Sequence, residues 1–238
     1  GNDFSAGFRT EYNQRRFGIR LSGVFVADDF RSDLGFVRRT DIFKINSRVE
    51  WKFWPQNKNI QRHTFSVIPI FIWRPELGYE NSDYTVISRW EANFKDNSEL
   101  QLEMFNRFTR LYDPFDPTGT EGAIELPGNQ NYYYTSFSAS FRSDQRKKLS
   151  YRIEPTYGGF FNGTRFSLET NLTLRLQPYF SGSFQMRYDK INLPEPYPDA
   201  SIWLIRPRLD VTFTKNIFWA TFLQYSTQRE NFSINTRL

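Results

Sequence analysis

The chain has 238 residues, no cysteine and a formal net charge of +5. The missing cysteines exclude disulfides and thiolate metal sites, and bases interleaved with acids are not the pattern of a nucleic-acid-binding tail. No run of about 18 apolar residues occurs, so no transmembrane helix is predicted, yet aromatics are 18% of a chain whose mean hydropathy is only −0.63.

Period-two alternation explains how so many aromatics coexist with so much polarity. In the third predicted element Phe43, Ile45, Val49, Trp51 and Phe53 alternate with Lys44, Asn46, Arg48, Glu50 and Lys52. The same two-faced pattern sets Tyr84, Val86, Trp90 and Phe94 against Arg89, Glu91 and Lys95, and Leu100, Leu102 and Met104 against Glu99, Glu103 and Arg107. Its longest stretch is "TRFSLETNLTLRLQP" at 164–178. There Phe166, Leu168, Leu172, Leu174 and Leu176 alternate with Arg165, Ser167, Glu169, Asn171 and Arg175. At 203–213, Trp203, Ile205, Leu209 and Val211 alternate with Arg206, Arg208 and Asp210. Such spacing gives strands with two unlike faces. Thirteen strands are predicted, near 2–12, 15–28, 42–54, 63–75, 83–95, 98–111, 131–142, 148–158, 164–176, 180–190, 201–214, 216–228 and 232–238.

The breaks are sorted by parity. Tight ones follow odd strands, near 13–14, 96–97, 177–180 and 215–216; long ones follow even strands, at 28–41, 112–129 and 190–200; 55–62 and 143–147 are intermediate. Strands longer than the usual 5–6 residues, apolar on one side, polar on the other and joined by alternating short and long connections, predict an antiparallel up-and-down transmembrane β-barrel. Hydrocarbon requires every backbone group to be bonded internally, so such a sheet is expected to close. Tryptophans near strand ends suit the headgroup boundary. A soluble β-protein binding an apolar ligand is the rival fold.

Several stretches carry a resemblance: "FRSDLGFVRRTD" at 30–41, "FNGTRFSLETNLTLR" at 161–175, "INLP" at 191–194 and "TKNIFWATFLQYSTQRENFSINTRL" at 214–238. In this order they resemble the C-terminal barrel domain, of unknown function, of large Bacteroidota outer-membrane proteins with a family-nine-like carbohydrate-binding domain at the N-terminus. The resemblance implies an outer-membrane location and a non-enzymatic anchor or passage for a surface glycan-handling protein, and it supplies no catalytic motif. Expected partners are outer-membrane lipid and lipopolysaccharide, and glycan through an N-terminal domain that this chain lacks; nucleic acid and cofactors are not expected. One domain, 1–238, is expected. The start at Gly1, the odd strand number and the non-aromatic last residue suggest a fragment of a longer chain with fourteen or more strands.

The candidate site is the set of inward charges: Lys44, Arg48, Glu50, Lys52, Arg89, Glu91, Lys95, Glu99, Glu103, Arg107, Arg165, Glu169, Arg175, Arg206, Arg208 and Asp210. They would form either a wall selecting anions or a network of ion pairs filling the interior. Other chemistry is sparse, which weighs against an outer-membrane hydrolase. His63 and Ser66 should lie on opposite faces of one strand. Glu99 and Glu103 would be about 13 Å apart at strand rise, beyond glycosidase spacing. Asp113, Asp116 and Glu121 share a long loop without a standard calcium spacing. The glycosylation triplets at Asn162, Asn171 and Asn231 read as chance, and "YGGFFNG" at 157–163 lacks the helix a phosphate loop needs. Pro207 within a strand predicts a bulge.

Overall fold

The computed structural model describes residues 3–31, 39–228 and 231–238. Part of the "FRSDLGFVRRTD" stretch and of the final turn therefore lies outside the described residues. The rest is one antiparallel sheet of thirteen strands in strict sequence order: β1 (Ser5–Asn13), β2 (Phe17–Val26), β3 (Ile42–Phe53), β4 (Ile60–Arg74), β5 (Glu80–Phe94), β6 (Glu99–Leu111), β7 (Gln130–Arg142), β8 (Leu149–Phe160), β9 (Gly163–Leu176), β10 (Phe180–Asn192), β11 (Ala200–Thr214), β12 (Ile217–Ser226) and β13 (Asn231–Arg237). The one helical element among the described residues is a 3-10 turn at Pro75–Leu77. The up-and-down topology is the one expected. Closure is not seen: β1 and β13 are unpaired edges in the described residues.

The turn end of the sheet carries the connections at 14–16, 54–59, 95–98, 143–148, 177–179 and 215–216. The loop end carries 27–41, 112–129 and 193–199, but also the tight 161–162 and the short 75–79. Length thus separates the ends less cleanly than the sequence suggested. What holds is that nothing long occurs at the turn end.

Register fixes the faces. Direct cross-strand partners share a face, and the pairs run from Glu11↔Arg20 and Arg20↔Arg48, then from Glu50, two residues on and on the same face of β3, through Glu50↔Ser66, Ser66↔Arg89, Arg89↔Glu103 and Glu103↔Ser138. They continue through Ser138↔Thr156, Thr156↔Ser167, Ser167↔Asp189 and Asp189↔Ile202. One face is therefore mainly polar, though it also holds Ile68, Ile70 and Ile72 of β4, Phe105 of β6, Ile202 of β11 and Phe222 of β12. The other carries Phe8, Ile19, Trp51, Phe65, Leu102, Phe137, Tyr157, Leu172, Phe184 and Trp203, all exposed.

Burial is inverted relative to a water-soluble protein. The polar face holds Ser66, Glu103, Ser138, Ser150, Ser167 and Asp189, all buried, while large apolar groups on the other face meet solvent. The accessible surface is 15516 Å², against about 11,200 Å² for a compact soluble chain of this mass. The excess is what a sheet gives when it curls around its polar side without packing its apolar side on anything.

Pro207 makes no bulge. It pairs in register with Phe184 of β10, and the β11–β12 register is the same before and after it. Only the pairing of Arg206 and Pro207 to β12 lapses, and the true irregularity lies at Thr212/Thr214. Pro69 and Pro155 behave alike: each keeps its partner on one side, Val86 or Leu168, and loses it on the other without a shift. A missing N–H interrupts one ladder and leaves the other intact, and alternation is undisturbed because no residue is inserted. Gly158 does need to be glycine. Its φ is 154°, and a Cβ there would run into the Ser136 backbone of β7.

Candidate functional site

Lys44, Arg48, Glu50, Arg89, Glu91, Glu99, Glu103, Arg107, Arg165, Glu169, Arg175, Arg206, Arg208 and Asp210 all fall on the polar face. Lys95 instead lies in the β5–β6 turn. The structure brings most of these charges together as ion pairs. At the centre the direct partners Arg89 and Glu103 meet at 2.7 Å, with Glu103 9% exposed. In β3, Glu50 takes both Arg48 and Lys52 at 2.7 Å. Glu91 accepts from Arg62 at 3.4 Å, and Glu99 from Arg142 at 2.8 Å. Arg208 and Asp210, two apart on β11, meet at 2.9 Å.

Sequence reasoning left out half of one cluster. Asp189 is buried on β10 and binds Arg165 of β9 at 2.5 Å and Arg187 of its own strand at 2.7 Å, while Arg187 also reaches Glu169 at 3.0 Å. Beside it Arg152 pairs with Glu154 at 2.5 Å. The signal was present: Gln185, Arg187 and Asp189 keep the same period-two phase as the charges of β9.

Of the predicted inward bases that lie within strands, four have no carboxylate partner among the described residues: Lys44, Arg107, Arg175 and Arg206. Arg107 donates to Ser136 Oγ at 2.6 Å and lies over the Phe105 ring at 4.3 Å. Arg175 donates to the Gln145 carbonyl at 2.8 Å. Arg206 keeps a buried Nε without a partner. A recess of about 320 Å³ opens on this face between Phe105, Arg107, Tyr134, Phe160, Arg165 and Arg187.

At the loop end, the 112–129 segment packs against the β8–β9 turn. Phe115 and Leu126 bridge its two arms, Asp116 accepts from Thr118 N at 2.8 Å and Thr120 N at 2.8 Å, and Phe115 packs on Phe161 of the β8–β9 turn. Asp116 is thus engaged in shaping the loop. The segment reaches the far side of the sheet, where Gln228 donates to the Thr118 carbonyl at 3.4 Å.

The residues weighed for hydrolase chemistry are not brought together. His63 points to the apolar face, stacked on Trp90 at 5.6 Å, while Ser66 lies on the polar face. Glu99 and Glu103 are each held by a different arginine. No group of three metal-ligating side chains occurs among the described residues. The site these elements define is a shielded, charge-paired surface along one long meandering sheet.

Residues 1–198 match the family described as a domain of unknown function (DUF5916), and the chain belongs to that family. No curated protein and no solved structure matches it.

Proposed function

We propose that this chain is a transmembrane β-barrel of the bacterial outer membrane, serving as an anchor or a narrow passage and performing no catalysis itself. The observation that carries the reading is the inversion of burial along the central strands: charges such as Glu103 and Asp189 shielded, aromatics such as Phe65, Phe137 and Tyr157 exposed. Strands of 12–15 residues in β3–β6 and β8–β11 exceed the 9–11 that a tilted spanning strand requires. Closure completes the reading, because open edges are not tolerated in hydrocarbon. The apolar face then meets lipid and lipopolysaccharide chains, and the polar face becomes the lumen. The resemblance to Bacteroidota barrels behind a carbohydrate-binding domain supports a glycan-handling assembly, with glycan bound by that domain rather than by this one.

The ion pairs favour a stiffened, narrow lumen over an anion-selective pore. A ring that selects anions needs basic groups free to meet them, and here most guanidinium groups are already engaged. Planar-bilayer recording of the protein folded in lipid is the test. Near-zero conductance is the expected result. Large anion-selective currents that switch selectivity in the Arg206→Glu, Arg208→Glu double variant would overturn the narrow lumen, and failure to enter any bilayer would overturn the membrane reading.

A further inference from the structure

The two ends of the sheet carry opposite charge. At the turn end stand Arg15 and Arg16, Lys58, Lys95, the run Arg146, Lys147 and Lys148, and Lys215, against only Asp96 and Asp144, a net +6. All eight cations are exposed. Seven have no carboxylate partner among the described residues, Arg146 alone pairing with Asp144 at 3.0 Å. The described residues of the loop-end connections hold ten carboxylates and two arginines, Arg31 and Arg39, a net −8. Acids there are crowded enough to share a proton: the carboxyl of Asp28 beside Glu76 holds Glu76 above the usual carboxylate range and itself falls below it.

The basic groups are spread over five of the six turns, so they form a rim. Just inside this rim the apolar face presents Trp51, Trp54, Phe65, Leu149 and Phe213, and Arg15 lies over the Trp54 ring at 5.5 Å. A rim of free cations bordering an aromatic band is the arrangement that meets phosphate at a bilayer surface. The acidic end cannot do so, since like charge repels it from the same surface.

We infer that the turn-end rim docks on anionic phospholipid headgroups, so that this end settles on a phospholipid leaflet. The inference rests on the membrane reading above and adds the partner and the face that meets it. Proximity to a charged leaflet contributes for each base near it, and the contribution fades within a Debye length. The docking is therefore salt-sensitive, unlike the hydrophobic insertion itself.

The full chain is folded into nanodiscs of phosphatidylcholine with 30% phosphatidylglycerol, and the lipid retained after release is measured by native mass spectrometry. At low salt, the ratio of phosphatidylglycerol to phosphatidylcholine among the retained lipids should exceed that of the mixture roughly tenfold. The Arg16→Gln, Lys58→Gln, Lys147→Gln, Lys148→Gln variant, with four of the rim charges removed, should fall to within about twofold of the mixture's ratio. Asp113→Asn with Glu121→Gln at the loop end should leave the enrichment unchanged. No enrichment in the parent, or enrichment that survives in the four-site variant, overturns the docking while leaving the membrane reading in place. A protein that never enters the nanodisc fails at the earlier step.

Discussion

The middle of the sheet and its two edges follow the same alternation but differ in burial. Arg89 and Glu103, direct partners on central strands, have side chains 22% and 7% exposed; Arg208 and Asp210, near one edge, are 59% and 37% exposed. Every residue of β1 and of β13 is exposed. Alternation is written into each strand separately, whereas shielding comes from strands on both sides. The edges lack a neighbour on one side, which is the condition closure would remove.

The largest expected effect is at the centre. Glu103→Ala leaves Arg89 shielded and unpaired, and removing one partner of a buried pair costs about 3 kcal/mol or more. Urea titration of the lipid-folded protein checks this, and a loss below about 1 kcal/mol would mean the central face is as wet as the edge. Next comes the difference between faces. Leu172→Arg should cost about 2–4 kcal/mol near mid-bilayer, while Thr173→Arg, one residue on and on the polar face, should cost little. Equal penalties by the same titration would sink the face assignment.

Asp210→Asn is expected to cost about 1 kcal/mol or less, because exposed pairs are weak. A value approaching that of Glu103→Ala would sharpen the comparison in the other direction, by indicating that the β11–β13 side is enclosed in the membrane. The smallest effect is at a turn. The Arg146 guanidinium hydrogen-bonded to Asp144 lowers that carboxyl to about 2 from 3.8. A depressed carboxylate stabilises above its unfolded pKa, so the turn at 143–148 should be intact above pH 3.8 and loosen as pH falls toward 2. Amide exchange in this turn should show that dependence, and Asp144→Asn should abolish it.

Strand positions were legible because each strand announces itself locally. β3, β6 and β9 begin and end within one residue of their sequence-based bounds, and β4 starts earlier, at Ile60. The face of each charged strand residue was legible for the same reason. The partners were not. Whether Glu50 serves one base or two depends on register and rotamer, and the hold of Asp189 on Arg165 and Arg187 needs two strands at once. Pro207 misled because a bulge is one way to accommodate a missing donor; a lapsed bond toward a single neighbour is the way used here.

The Gln228–Thr118 contact joins residues 110 apart, in a sheet whose strands otherwise pair only with their sequence neighbours. Bringing β1 to β13 means closing a loop of nearly the whole chain, and the entropy of that step grows with the logarithm of loop length. A tether from the 112–129 segment to the last turn roughly halves the path, and each halving lowers the closure cost by about 0.6 kcal/mol. The two edges would then meet about three times more often before any bond between them forms. The 112–129 segment, held to the last turn, would then shorten the search for that pairing.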